Sequence, residues 1–69
     1  MNIIFYTTGC PKCGVLKNKL DTAHLTYETN EDVDVMIEKG IKSAPALEVN
    51  GKIYSYKDAI HFINEVINE

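Results

Sequence analysis

Ile3-Ile4-Phe5-Tyr6 is an unbroken run of β-branched and aromatic residues, the pattern of a strand buried on both faces, and it predicts a first strand over Asn2 to Tyr6. From Pro11 to about His24 the period changes: Cys13, Leu16, Leu20 and Ala23 recur at intervals of three, four and three, while Lys12, Lys17, Lys19 and Asp21 fall off that stripe. This is an amphipathic helix with proline at its favoured first position. Leu25 to Thr29 alternates apolar and polar as a half-exposed strand does, and a helical crossover between two strands implies parallel pairing. Asn30 then offers an N-cap, the acids Glu31, Asp32 and Asp34 suit a helix start, Val33, Met36 and Ile37 make a short stripe, and Lys39-Gly40 supplies a stop. Ala46 to Val49 and Lys52 to Tyr54 read as strands joined by Asn50-Gly51, a strong hairpin signal. Ser55 with Asp58 three residues later resembles a capping box, and Tyr56, Ala59, Ile60, Ile63 and Ile67 hold one helical face to the chain end. The predicted order is βαβαββα, an α/β class, in one domain covering residues 1–69.

A chain of 69 residues sits near the size at which a core alone supplies only about 3–5 kcal/mol. Its formal net charge is −3 and all of its fixed cations are lysines, so a phosphate backbone would find no guanidinium fork and nucleic acid is not an expected partner. No basic segment followed by an apolar core opens the chain, and the longest apolar run is four residues. Neither export nor a membrane span is expected, which leaves the reducing cytoplasm as the expected compartment and a monomer as the expected state.

Composition matters most at Cys10-Pro11-Lys12-Cys13, which holds the only two cysteines. A thiol on the opening turn of a helix meets unpaired backbone N–H groups and the positive end of the helix dipole, both of which favour thiolate. Cys10, at or just before the N-cap between Gly9 and Pro11, is expected to be the exposed nucleophile. Cys13, one turn inward on the stripe of Leu16 and Leu20, is expected to be more buried, more protonated and the resolving thiol. Lys12 is expected to point to solvent with a secondary electrostatic role. A bridge across so short a loop would contribute only about 2 kcal/mol, which suits a bond that is made and broken. Alone, a CxxC pair is as readily incidental or half of a zinc site; its place between a buried strand and a helix start favours redox chemistry.

Ser43-Ala44-Pro45-Ala46 adds a proline at the threshold of a strand, where the missing ladder donor is tolerated. With Tyr6-Thr7-Thr8-Gly9 before the cysteines, Asn50-Gly51-Lys52 and Asp58, the whole chain resembles a glutaredoxin-like small redoxin of the thioredoxin superfamily, of the dithiol CPxC type. The resemblance implies a four-stranded mixed sheet flanked by three helices. It implies a dithiol–disulfide oxidoreductase that works through a reversible Cys10–Cys13 disulfide, with Pro45 in a cis bond beside the reactive sulfur and the backbone of Ala44 turned toward the substrate. Gly9, Pro11 and Lys12 from the motif, with Ser55, Tyr56 and Asp58 from the last turn and helix, complete the implied substrate-contacting set. No metal and no bound cofactor are implied; the reductant would be glutathione or a flavoprotein thioredoxin reductase with NADPH. The partner would be a disulfide-containing protein, ribonucleotide reductase among the candidates.

Two positions depart from the glutaredoxin pattern. Ser55-Tyr56 stands where a Gly-Gly pair is usual, and Thr7-Thr8 lacks the lysine often found before the first cysteine. Tyr54-Ser55-Tyr56 is instead similar to the corresponding stretch of the small redoxins that serve ribonucleotide reductase and take electrons from thioredoxin reductase. The alternative class is a small CxxC metal chaperone, whose fold ends in a strand, whereas the end of this chain has helical spacing. His24 and His61 read as surface residues, and the four tyrosines as packing residues of which only Tyr54 and Tyr56 lie near the expected groove.

Overall fold

A computed structural model describes residues 2–67; Met1, Asn68 and Glu69 lie outside the described residues, and with them the ends of the expected 1–69 domain and the last step of its final helix. β1 (Ile3–Tyr6) lies between β2 (Glu28–Asn30) and β3 (Ala46–Val49), with β4 (Lys52–Tyr54) outermost, giving a four-stranded sheet of order β2-β1-β3-β4. β1 pairs with β2 in parallel and with β3 antiparallel, and β3 pairs antiparallel with β4, so the sheet is mixed. α1 (Pro11–Thr22) follows β1, α2 (Val33–Glu38) follows β2, and α3 (Tyr56–Ile67) ends the described chain. No helix among the described residues is long and apolar enough to cross a membrane.

The unbroken apolar run of β1 makes sense once each face of the sheet has its own layer. Side chains alternate along a strand. Ile3 and Phe5 enter a cluster with Cys13, Leu16 and Leu20 of α1, Leu47 and Val49 of β3, and Ala59 and Ile63 of α3. Ile4 and Tyr6 face the other side, with Met36, Ile41, Ala46 and Ile53. One layer holds α1 and α3 against the central strands, and the other holds α2.

Both loop-closing helix ends use the same hydrogen-bond geometry. After α1, His24 takes a left-handed φ of 57°, its N–H reaches the Asp21 carbonyl at 3.1 Å, and the Leu25 N–H reaches Leu20 at 3.2 Å. After α2, Gly40 takes φ 78°, and Gly40 and Ile41 donate to Ile37 and Met36 at 3.0 and 2.9 Å. At Gly40 the glycine matters, because the turn needs a positive φ that most side chains resist. His24 is therefore a helix stop, and α1 ends two residues before the expected boundary.

Three expectations are corrected. The strand expected over Leu25–Thr29 starts only at Glu28, since Leu25 and Tyr27 first turn into the α1–α3 layer, where Tyr27 meets Phe5 edge-on at 5.9 Å and donates to Asp21 at 2.8 Å. The N-cap of α2 is Asp32, which accepts from the Asp34 and Val35 N–H groups, while Asn30 Oδ1 accepts from the Asp32 N–H at 2.8 Å and shapes the turn before it. The expected Val33–Met36–Ile37 stripe buries only Met36; Val33 and Ile37 are 52 % and 66 % exposed, because a helix of six residues presents little more than one contact line. The hairpin and the last cap follow the sequence reading: Asn50 and Gly51 have φ of 51° and 89°, and Ser55 Oγ accepts from the Asp58 N–H at 3.4 Å.

Under the α2 layer, the fully buried Tyr6 hydroxyl donates to Glu48 Oε1 at 3.2 Å, and Lys39 Nζ meets the same oxygen at 2.8 Å. Burial, then the Glu48 charge, push the Tyr6 phenol up, so it stays a donor. Glu48→Ala leaves that hydroxyl without its acceptor and is expected to lower the unfolding free energy in urea by about 1–3 kcal/mol. Lys39→Ala removes an ion pair whose lysine is largely in solvent and is expected to cost less than about 1 kcal/mol.

Candidate active site

β1 delivers the chain to a three-residue loop, Thr7 to Gly9, and Cys10 is the N-cap of α1 with φ −75° and ψ 165°. Its carbonyl accepts the first helical bond, from the Gly14 N–H at 3.2 Å, and its sulfur accepts the Cys13 N–H at 3.2 Å. Sulfur thus occupies the place a serine or aspartate oxygen usually takes at a helix start. Pro11 at the first helical position removes a donor that would have stayed unpaired, and no acidic residue shares the first turn, so nothing there opposes an anion. Gly9 has φ 80°, and its N–H donates to Thr7 Oγ1 at 3.1 Å.

Opposite the helix start stands the loop into β3. The Ala44–Pro45 peptide bond is cis, and Cys10 Sγ lies 3.9 Å from the Ala44 carbonyl oxygen. Pro45 is buried and Ala44 half-buried, so the proline ring offers no surface beside Cys10. Lys12 is exposed but not merely solvent-directed: its Nζ lies 5.5 Å from the centre of the Tyr56 ring, which ties the motif to the start of α3. Gly9, Pro11, Lys12, Ala44 and Pro45 therefore adjoin the half-exposed Cys10 or its contacts, and Tyr56 joins them through Lys12.

Ser55 and Asp58 are less directly placed. They line a recess of about 330 Å³ with Ser43 and Lys42, beside the Ala44 loop, and they are also joined in the cap of α3. The neighbouring recess at the β4 edge, about 270 Å³, is lined by Asp58, His61 and Phe62 and touches neither cysteine. His24 is taken up by its turn.

Both thiols are free, Cys10 half-exposed and Cys13 only 2 % exposed. Burial pushes the Cys13 thiol up, yet the Cys10 side chain, the Thr7 hydroxyl and the backbone N–H groups of Thr8 and Cys10 outweigh it and bring Cys13 down to about 7. The inner sulfur is the more buried of the two, as its place on the stripe of α1 implies. A folded value below that of an unfolded thiol stabilises the reduced fold above the ordinary thiol range, and that contribution is lost as pH falls through about 7.

Thr7 is the site residue that sequence reasoning passed over. Its signal was available: it continues the period-two face of Ile3 and Phe5 toward Cys13, and a hydroxyl on that buried face needs partners. Among the described residues no group of three or more histidine, cysteine and acidic side chains is arranged to hold a metal ion. Comparison with protein-family models, with curated proteins and with solved structures returns no match for this chain.

Proposed function

We propose that the chain is a dithiol–disulfide oxidoreductase with a thioredoxin-like fold of the glutaredoxin type, acting on disulfide-containing proteins in a reducing cytoplasm. The observation that carries this reading is Cys10 Sγ at the helix N-cap, accepting the Cys13 N–H at 3.2 Å while the Ala44 carbonyl faces it at 3.9 Å. One sulfur is thus half-exposed, with the helix start and the Cys13 N–H on the side that favours an anion and the Ala44 carbonyl marking the opposite wall, and a second stands within the same turn. Over the described residues the order βαβαββα, with a helix between β2 and β3, also differs from the βαββαβ order expected of a small metal chaperone.

In the proposed cycle the Cys10 thiolate attacks one sulfur of a substrate disulfide. A Cys10–substrate disulfide forms, and the other substrate sulfur leaves as thiolate and takes a proton from water. The Cys13 thiolate then attacks Cys10 Sγ, closing the Cys10–Cys13 bond and expelling the second substrate thiolate. Two electrons have moved from the protein to the substrate. Two glutathione thiols, or a flavoprotein reductase using NADPH, return them.

Cys13→Ser tests the order of events. The variant is expected to accumulate a stable adduct at Cys10 when mixed with a protein disulfide, visible as the added mass of one substrate chain and removed by dithiothreitol. An adduct that instead forms on Cys13 in the Cys10→Ser protein, and not in this one, would reverse the assigned roles. Parallel recharging of the oxidised protein by glutathione and by thioredoxin reductase with NADPH identifies the reductant as the faster of the two.

A further inference from the structure

Among the described residues two buried side chains carry a hydroxyl, Tyr6 under α2 and Thr7, 7 % exposed, on the opposite face of the sheet. The Thr7 backbone N–H donates to the Asn30 carbonyl at 3.1 Å, extending the β1–β2 ladder by one residue, so the side chain keeps the alternation of β1 and faces the layer of Phe5 and Cys13. Its Oγ1 accepts the Gly9 N–H at 3.1 Å, which leaves the hydroxyl hydrogen to give. Thr7 and both cysteines line a recess of about 270 Å³ between the start of α1 and the end of β2, on a different wall from the Ala44 loop.

We propose that Thr7 is a positioning residue for the resolving sulfur: anchored by the Gly9 amide, its hydroxyl donates to Cys13 Sγ and holds that sulfur as the thiolate that attacks the mixed disulfide. The proposal rests on the dithiol reading and assigns a residue to its second step. In the reduced protein Cys10 Sγ accepts the Cys13 N–H at 3.2 Å and lies 3.9 Å from the Ala44 carbonyl oxygen, the acceptor its hydrogen faces. Once Cys10 is bonded to a substrate sulfur it has no hydrogen left. The Thr7 hydroxyl, which lines the recess with both cysteines and has its hydrogen uncommitted, is then the side-chain donor beside Cys13 that substitution can remove. The charged groups around Cys13 do not replace it: Lys17 of α1 and Glu31 after β2 line the same recess with opposite signs, and Tyr56 of α3 packs on the cluster with Lys12 over its ring.

Dithiobisnitrobenzoate, one equivalent per reduced protein, separates the two steps. Attack by Cys10 releases one nitrothiobenzoate chromophore, and attack by Cys13 on the resulting mixed disulfide releases the second. Thr7→Val is expected to slow the second phase about two- to fivefold at neutral pH, since a rise of one pKa unit cuts the thiolate fraction about fivefold and the stronger nucleophile offsets part of that, to spare the first, and to lose its effect as pH rises past the free-thiol range. Thr7→Ser, which keeps the hydroxyl, is expected to resolve at the wild-type rate, and Thr7→Ala makes the same comparison if the valine variant does not fold. A second phase unchanged in rate and pH profile, or both phases slowed alike at every pH, overturns the proposal. A wild-type protein that releases only one chromophore sinks the dithiol reading itself, which is a different result.

Discussion

Cys10→Ser is expected to reduce disulfide-reducing turnover by about three orders of magnitude or more, to the uncatalysed background, because a serine hydroxyl is neither ionised near neutral pH nor able to hold a mixed disulfide. What makes the substitution informative is that it leaves the fold alone. Cys10 caps α1 through its sulfur, which accepts the Cys13 N–H at 3.2 Å, and serine is among the best residues for that place. The variant is thus expected to match or exceed the wild type in urea while losing its chemistry. The measurement is a coupled assay of NADPH consumption with an oxidised small disulfide, run beside a denaturation curve on the same sample. Retention of more than about one-tenth of wild-type turnover, with the fold intact, would remove Cys10 as the nucleophile.

Much of this architecture was legible because local and tertiary preferences agree. The β1 run, the stripe of α1, the Asn50-Gly51 turn and the Ser55 cap each have a single physical solution, and the structure adopts it. The misplaced boundaries share a different cause. Leu25 and Tyr27 alternate like strand residues, but their apolar faces are claimed by Leu20 and Phe5 before any partner strand reaches them. Likewise Asn30 and Asp32 are both able to cap a helix, and which one does so is decided by where β2 stops. The site divides in the same way. Cysteine spacing and the proline before β3 were visible as motifs, whereas the donors to Cys13 come from three separate positions, Thr7, Thr8 and Cys10, that only the turn between β1 and α1 brings together. Lys12 over Tyr56 joins residues distant in sequence and carries no local signal at all.

The tie between the core and the sulfur chemistry is sharpest at Leu20. Its side chain is fully buried in the layer of α1, α3, Phe5 and Leu47, and its carbonyl closes the end of α1 by accepting the Leu25 N–H at 3.2 Å. Leu20→Ala changes helix propensity little, since both residues favour helix, so its cost comes from the cavity, about 2–5 kcal/mol. A domain of this size commands only about 3–5 kcal/mol in total, so the variant is expected to be largely unfolded at room temperature, with its helical circular dichroism and cooperative urea transition lost. Val15→Ala on the same helix removes a side chain that is 44 % exposed and is expected to shift stability by no more than about 0.5 kcal/mol. In the unfolded Leu20→Ala chain the dipole of α1 and the donors from Thr7 and Thr8 are gone. The Cys13 thiol then returns to the ordinary value of about 8.5, and the pH midpoint of its alkylation rises from near 7 accordingly. A Leu20→Ala protein that unfolds yet still alkylates with a midpoint near 7 would place the origin of thiolate stability in the CPxC segment itself rather than in the helix that the core holds in position.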